Sequence, residues 1–212
     1  MKLIKYFIPL GMIGVFFYFA HVITGELLWK EYNSITMDIS SLTADGAPNY
    51  KLLRIINFPY GVFSVLFAFG MVVKSLRSTN RILKAGFIFL LIMEVISIIG
   101  YGLFPLTGDK TEMNFQNSMH LTVTALVVFT TIASGFCIAI GYRKEKNTRT
   151  IGNLTLLLAV LITVFGSLNP INMAMELNIL GLTERLCIYT VQVFIFVLSY
   201  YNTFVQKNLI AS

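Results

Sequence analysis

Apolar and polar positions along this chain fall in long blocks rather than in the short periods of a soluble fold. A helix needs about 20 apolar residues to cross a hydrocarbon core of about 30 Å. Six runs reach that length, roughly 6–28, 52–73, 82–104, 119–142, 151–171 and 184–205. Pro59 and Pro170 fall near the ends of the second and fifth runs, where packing against neighbouring helices tolerates them. The pattern predicts an all-α polytopic membrane protein, a single bundle of six transmembrane helices filling one domain, 1–212. Lys2 and Lys5 precede the first run as they would in a signal peptide. That run is too long and lacks a small-residue cleavage site, so it is expected to stay in the mature chain.

Composition agrees. Of 212 residues, 56% are hydrophobic and 12% charged, and the mean hydropathy is +0.76, outside the range of ordinary soluble domains. Cys137 and Cys187 lie toward opposite ends of their spans, so no disulfide is expected between them.

Charge adds a direction. Lys2, Lys5, Lys74, Arg77, Arg81, Lys84, Arg143, Lys144, Lys146, Arg149 and Lys207 fall on one side of the bundle. Lys30, Lys51, Arg54, Lys110 and Arg185 fall on the other. By the positive-inside rule both termini are expected in the cytoplasm. Among the acids, Glu145 alone is on the basic side, whereas Glu26, Glu31, Asp38, Asp45, Asp109, Glu112, Glu176 and Glu184 are at or near the outer face. Basic inner loops of this kind orient a polytopic protein and touch anionic lipid, so the net charge of +6 does not imply a nucleic-acid partner. The outer connections are also the longer ones, 29–51 above all, and function tends to collect in such loops.

Polar groups within the spans are the next constraint, because hydrocarbon penalises ionisable side chains by about 2.5–3.5 kcal/mol on insertion scales. Gly14, Tyr18, His21 and Gly25 share one helix face. Glu94, Ser97 and Tyr101 share another, with Glu94 about 15 Å below the outer end of its helix. A carboxyl at that depth is either protonated or paired with a donor. His120 and Thr124 open the fourth span, Asn169 and Asn172 flank Pro170, and Glu184, Ile188, Gln192 and Ser199 line the sixth. These groups concentrate in the outer half of the membrane. They predict an outward-facing polar cavity lined by His21, Glu26, Glu94, Tyr101, His120, Asn169, Asn172, Glu184 and Gln192. The outer loop 29–51 is its lid, and Asp38, Ser40 and Ser41 are the lid residues expected to touch it. The plainer reading is that such histidines and amides bridge helices, at about 0.6 kcal/mol per hydrogen bond.

Three stretches, "MDISSLTADGAPN", "GLFPLTGDK" and "NSMHL", carry a family likeness. In a six-span chain of this length they resemble the bacterial membrane-protein family catalogued as domain of unknown function 998. The corresponding pieces of that family look like "ISELGAPGAPN", a "G-FP" helix end and an "HL" helix start. The acidic position of "ISEL" falls on Ser41 here, with Ser40 before it and Asp38 as the nearby carboxylate. A more distant likeness joins the loop, the "FP" turn and the histidine to the eukaryotic Frag1/DRAM/Sfk1 group, associated with lipid and membrane homeostasis. The resemblance implies the architecture and a multi-pass place in a bacterial inner or cytoplasmic membrane, and it implies no agreed reaction.

Three function classes fit these residues. The first is a binding or regulatory protein whose cavity receives a lipid headgroup, small amphiphile or peptide. The second is an intramembrane lipid hydrolase or transferase using His120 or His21, with Asp38, Ser40 or Ser41, although no HExxH or GxSxG signature is present. The third is a proton-coupled transporter using Glu94, although no inverted repeat relates spans 1–3 to 4–6. No cofactor is expected. A zinc held by His21 and His120, with Asp38 or Glu26, is the metal-dependent variant of the second class. Membrane lipid is the expected partner, and no protein partner is implied.

Overall fold

The computed structural model describes residues 4–108 and 114–206. Lys2, Asp109, Lys110, Glu112 and Lys207 of the charge pattern lie outside the described residues. The helices are α1 (Leu10–Leu28), α2 (Ile39–Leu42), α3 (Tyr50–Ser75), α4 (Arg81–Leu103), α5 (Phe115–Arg143), α6 (Arg149–Met175) and α7 (Leu180–Tyr200). All but the single turn of α2 belong to segments long and apolar enough to cross a membrane, and the chain is a multi-pass membrane protein. Each long helix packs on the next in sequence, and α7 returns to α1, so the bundle closes on itself. Large apolar side chains such as Phe16, Phe58 and Phe129 stay exposed on the outside, where lipid rather than water surrounds them.

Lipid-facing helices gain no hydrophobic drive from associating, so they hold together through close contact of small residues. The seam between α4 and α5 shows this. A Cβ on Gly86 would stand 2.7 Å from the Ile138 nitrogen, one on Gly100 2.6 Å from Val123 Cγ1, and one on Gly141 2.8 Å from Leu83 Cα. The α1–α7 closure uses Gly11, whose Cβ would meet Ser199 Cβ at 2.8 Å. The Ser199 hydroxyl donates to the Ile8 carbonyl at 2.6 Å and accepts from the Met12 amide at 3.2 Å.

The interior has two parts. Phe67, Met71, Phe87, Leu90, Ile138, Phe194, Ile195 and Leu198 fill one continuous apolar cluster. A second cluster, at the end of the bundle that the charge pattern leads one to expect outside and that is called outer below, joins Tyr18 and Val22 of α1, Leu53 of α3, and Ile39 and Leu42 of α2. The first outer loop thus folds down into the bundle and seats Ile39 and Leu42 there, at 5% and 0% exposure.

The sequence-based span limits differ from the structure at one end. α6 continues through Pro170 to Met175, and α7 starts at Leu180, so the connection is four residues rather than the whole of 172–183. Pro170 deletes a backbone bond without ending the helix. The reversal comes from Glu176 and Asn178, both in the left-handed region at φ 51° and 54°. The Asn172 carbonyl accepts from the Leu177 amide at 3.2 Å and its side chain from Ile179 at 3.2 Å, which closes the turn.

If the glycine seam carries the α4–α5 packing, Gly141→Val lowers stability by about 1–3 kcal/mol through overpacking. Gly102→Ala, where a Cβ meets nothing within 4 Å, leaves stability unchanged or slightly raised. Denaturant unfolding in detergent micelles, followed by circular dichroism, distinguishes the two substitutions.

Candidate functional site

The outer mouth is closed by loop 29–49, and the loop is held by α7. Arg185, at 8% exposure, sends Nη1 to the carbonyl oxygens of Ser34 at 2.9 Å, Met37 at 3.1 Å and Gly181 at 3.0 Å. Its Nη2 reaches Glu26 Oε1 at 2.8 Å and the Tyr32 hydroxyl at 2.7 Å, and Nε also donates to Glu26. A planar fork with five donors suits this convergence, and lysine could not reproduce it. Tyr32 passes the connection on by donating to the Asp38 carbonyl at 2.8 Å. Burial raises the phenol's pKa, opposed by the neighbouring guanidinium, so Tyr32 remains a donor across the physiological range. Beside Arg185, Glu184 Oε2 accepts the Ile39 amide at 2.7 Å, satisfying the first turn of α2. The loop passes so close to α7 that a Cβ on Gly181 would collide with the Met37 carbonyl oxygen and stand 2.6 Å from that of Ser34.

The second half of the loop is tied to the 104–108 segment and to the start of α5. The Asp45 amide donates to the Leu106 carbonyl at 2.8 Å, and Asp45 pairs with Thr107 in an isolated parallel bridge. Asn117 grips Thr107 in return: its Oδ1 accepts the Thr107 amide at 2.9 Å and its Nδ2 donates to the Thr107 carbonyl at 2.9 Å. Asn114 caps α5 through the Asn117 amide at 2.8 Å. His120 Nδ1 lies 2.9 Å from the Phe104 carbonyl oxygen. A carbonyl only accepts, so Nδ1 carries the proton there and the tautomer is set. The three stretches with the family likeness therefore meet in one cap.

Between the two halves of the loop lies a groove of about 480 Å³, bounded by Trp29, Met37, Asp38, Ser41, Ala44, Asp45, Pro48, Gly108 and Leu180 among others. Asp38 is 2% exposed and accepts the Ser41 hydroxyl. Asp45 is half-exposed and pairs with Arg54 at 2.8 Å, which also holds the Thr43 carbonyl at 2.7 Å. Gly46, at φ +86°, turns the chain at the rim in a conformation that L side chains rarely adopt. The groove thus combines an aromatic wall, apolar surface and two carboxylates, Asp45 paired with Arg54 and Asp38 accepting the Ser41 hydroxyl.

Of the site residues expected from sequence, Asp38 and Ser41 line this groove, and the others are distributed around and below it. Glu26 and Glu184 hold the loop, and Asn172 closes the α6–α7 turn. Tyr101 donates to Thr124 at 3.1 Å and packs its ring 5.0 Å from that of His120. Deeper in the bundle, His21 meets the edge of Tyr18 at 4.9 Å, Tyr18 meets Tyr60 at the same distance, and Gln192 donates to the Tyr60 hydroxyl at 3.0 Å. Glu94 is 2% exposed, and its Oε1 has no hydrogen-bond partner among the described residues. Asn169 Oδ1 is likewise buried without a hydrogen-bond partner among the described residues, and Ser40 lies in α2 without lining the groove. Among the described residues no group of three or more His, Cys, Asp or Glu side chains stands where it could hold a metal ion.

Trp29, Tyr32 and Asn117 are not singled out by the sequence, and Arg185 enters there only as an outer-face cation next to Glu184. Arg185 had a usable signal, since a cation at the start of a span beside Glu184 needs a desolvated partner, and Glu26 lies at matching depth. Arg185→Lys keeps the charge but loses the fork, and is expected to loosen the loop by about 2 kcal/mol, about thirtyfold in exchange rate at the Ile39 and Leu182 amides. Hydrogen exchange read by mass spectrometry over 29–49 checks this, with unchanged exchange in α4 as the internal control.

No curated protein and no solved structure matches this chain. A family model described as "Protein of unknown function (DUF998)" matches residues 12–201, a stretch that contains the long helices almost entire together with the outer cap. The chain belongs to the DUF998 family.

Proposed function

We propose that this protein is a membrane-resident binding protein whose outer groove receives the polar head of a lipid, a small amphiphile or a peptide, in a regulatory or membrane-homeostasis role. The observation that carries this reading is the groove itself, built from the stretches that also carry the family likeness. Its volume lies in the range of sites for small organic molecules. Trp29, Met37 and Leu180 offer apolar and aromatic surface, and the carboxylates of Asp38 and Asp45 give the groove wall an acidic character that suits an amine-bearing head. The distribution of Lys and Arg supports placing this groove on the outer face, with both termini cytoplasmic, in the cytoplasmic membrane of a bacterium.

One contact supports a second reading. Ser41 donates its hydroxyl to Asp38 at the groove wall, an arrangement that an intramembrane lipid hydrolase or transferase would need in order to activate a serine nucleophile. His120, the other candidate base, is committed through Nδ1 to the Phe104 carbonyl and does not line the groove. Ser41→Ala separates the readings, because a binding protein keeps its ligand and a hydrolase loses turnover of it.

Trp29 is the single tryptophan of the chain and lines the groove, so its fluorescence reports occupancy directly. Titration of the purified protein with dihexanoyl-phosphatidylethanolamine is expected to give a saturable change in Trp29 emission. Asp38→Asn should weaken the apparent affinity about tenfold, the equivalent of one charge-assisted hydrogen bond. A linear, non-saturating change that is identical in Asp38→Asn would remove the groove as the binding site.

A further inference from the structure

A second groove, of about 270 Å³, lies at the opposite end of the bundle and is lined by Ile140, Arg143, Lys144 and Arg149. Three cations converge there from the end of α5 and the start of α6. Their side chains make no hydrogen bond or ion pair among the described residues. Glu145, the one acid at this end of the chain, is exposed and does not line the groove. Other inner-end cations are used differently: Lys74 donates to Asn202 Oδ1 at 3.0 Å.

The scaffold under these cations is fixed. The Thr148 hydroxyl donates to the Tyr142 carbonyl at 2.6 Å, which pins the five-residue connection between α5 and α6. Asn202 donates to the Tyr142 hydroxyl at 3.0 Å, linking the same point to the end of α7 and through Lys74 to α3. Gly152 lets α6 approach α5 so closely that a Cβ there would stand 2.7 Å from the Arg143 nitrogen. Holding three like charges together is unfavourable unless an anion enters among them. Ile140, 42% exposed, forms an apolar lip on the side where acyl chains run.

From this juxtaposition we propose that the groove is a binding site for the phosphodiester headgroup of an anionic glycerophospholipid, with Arg143, Lys144 and Arg149 on the phosphate and Ile140 against the first acyl carbons. Arginine forks suit a phosphate's geminal oxygens, and lysine adds a point charge. The apolar lip favours a lipid over free phosphate, and the site is independent of the outer groove.

The test uses the full chain reconstituted in nanodiscs of phosphatidylcholine containing a minor fraction of phosphatidylglycerol, with retained lipid counted by native mass spectrometry. The expected result is an enrichment of phosphatidylglycerol on the protein of about tenfold, lost in R143Q/R149Q and partly kept in R143K/R149K. K146Q removes one positive charge from the connection between the two arginines without touching the groove, and should keep the enrichment. Only protein that elutes as folded monodisperse material is scored, and R143K/R149K covers the case in which R143Q/R149Q does not fold. Equal loss in K146Q would show diffuse attraction rather than a site and would overturn the proposal. So would an absence of enrichment in the unmodified protein, or displacement of the lipid by excess inorganic phosphate.

Discussion

The guanidinium of Arg185 joins three pieces of chain at one point: the outer end of α1, the irregular backbone of 32–38, and the first turn of α7. Irregular backbone near a membrane must have its carbonyls satisfied from within the protein, because hydrocarbon supplies no donors. Arg185 satisfies those of Ser34 and Met37 directly and that of Asp38 through Tyr32. With the carbonyls held, Ile39 and Leu42 can turn inward and fill the mouth, and the backbone left outside forms the groove wall. Glu26 balances the charge, so the arrangement does not leave an unpaired cation at the rim.

The bundle is divided by depth as a result. Toward the basic end, glycines and large apolar side chains interlock. Toward the outer end, tyrosines, a histidine and an amide meet in a polar layer beneath the cap, where His21, Tyr18, Tyr60 and Gln192 are close neighbours. A groove above such a layer has a wall fixed by hydrogen bonds rather than by packing alone. Direction matters more than energy in that situation, because a hydrogen bond breaks on small displacements that an apolar contact absorbs.

Much of the architecture was legible from hydropathy because a membrane demands long uninterrupted apolar runs. The buried face of α1 was legible too, since Gly14, Tyr18, His21 and Gly25 follow helical spacing and all four are buried. The α6–α7 reversal was not, because Pro170 resembles a helix end by composition, while the turn depends on backbone angles at Glu176 and Asn178. Asp38 and Ser41 stood out as short polar residues in the least apolar loop. Trp29 and Tyr32 did not, since aromatic residues near a span end usually mean interfacial anchoring. Spacing along single helices placed His21, Glu94 and His120 at plausible depths but carried no information about which helices are neighbours. The grouping of those residues depends on the order of helices around the bundle, which is a tertiary fact.

The closure of α7 onto α1 and onto the outer loop also orders the making of this protein. The amide of Ile39 waits for a carboxylate 145 residues further along the chain, and the Ser34 carbonyl for a guanidinium 151 residues on. During synthesis the loop emerges well before α7, so the cap has no clasp until α7 has entered the bilayer. A chain stalled before α7 would lack these contacts, leaving the Ile39 amide and the Ser34 carbonyl without the partners that hold the loop. α7 therefore completes a surface encoded some 145 residues earlier in the chain.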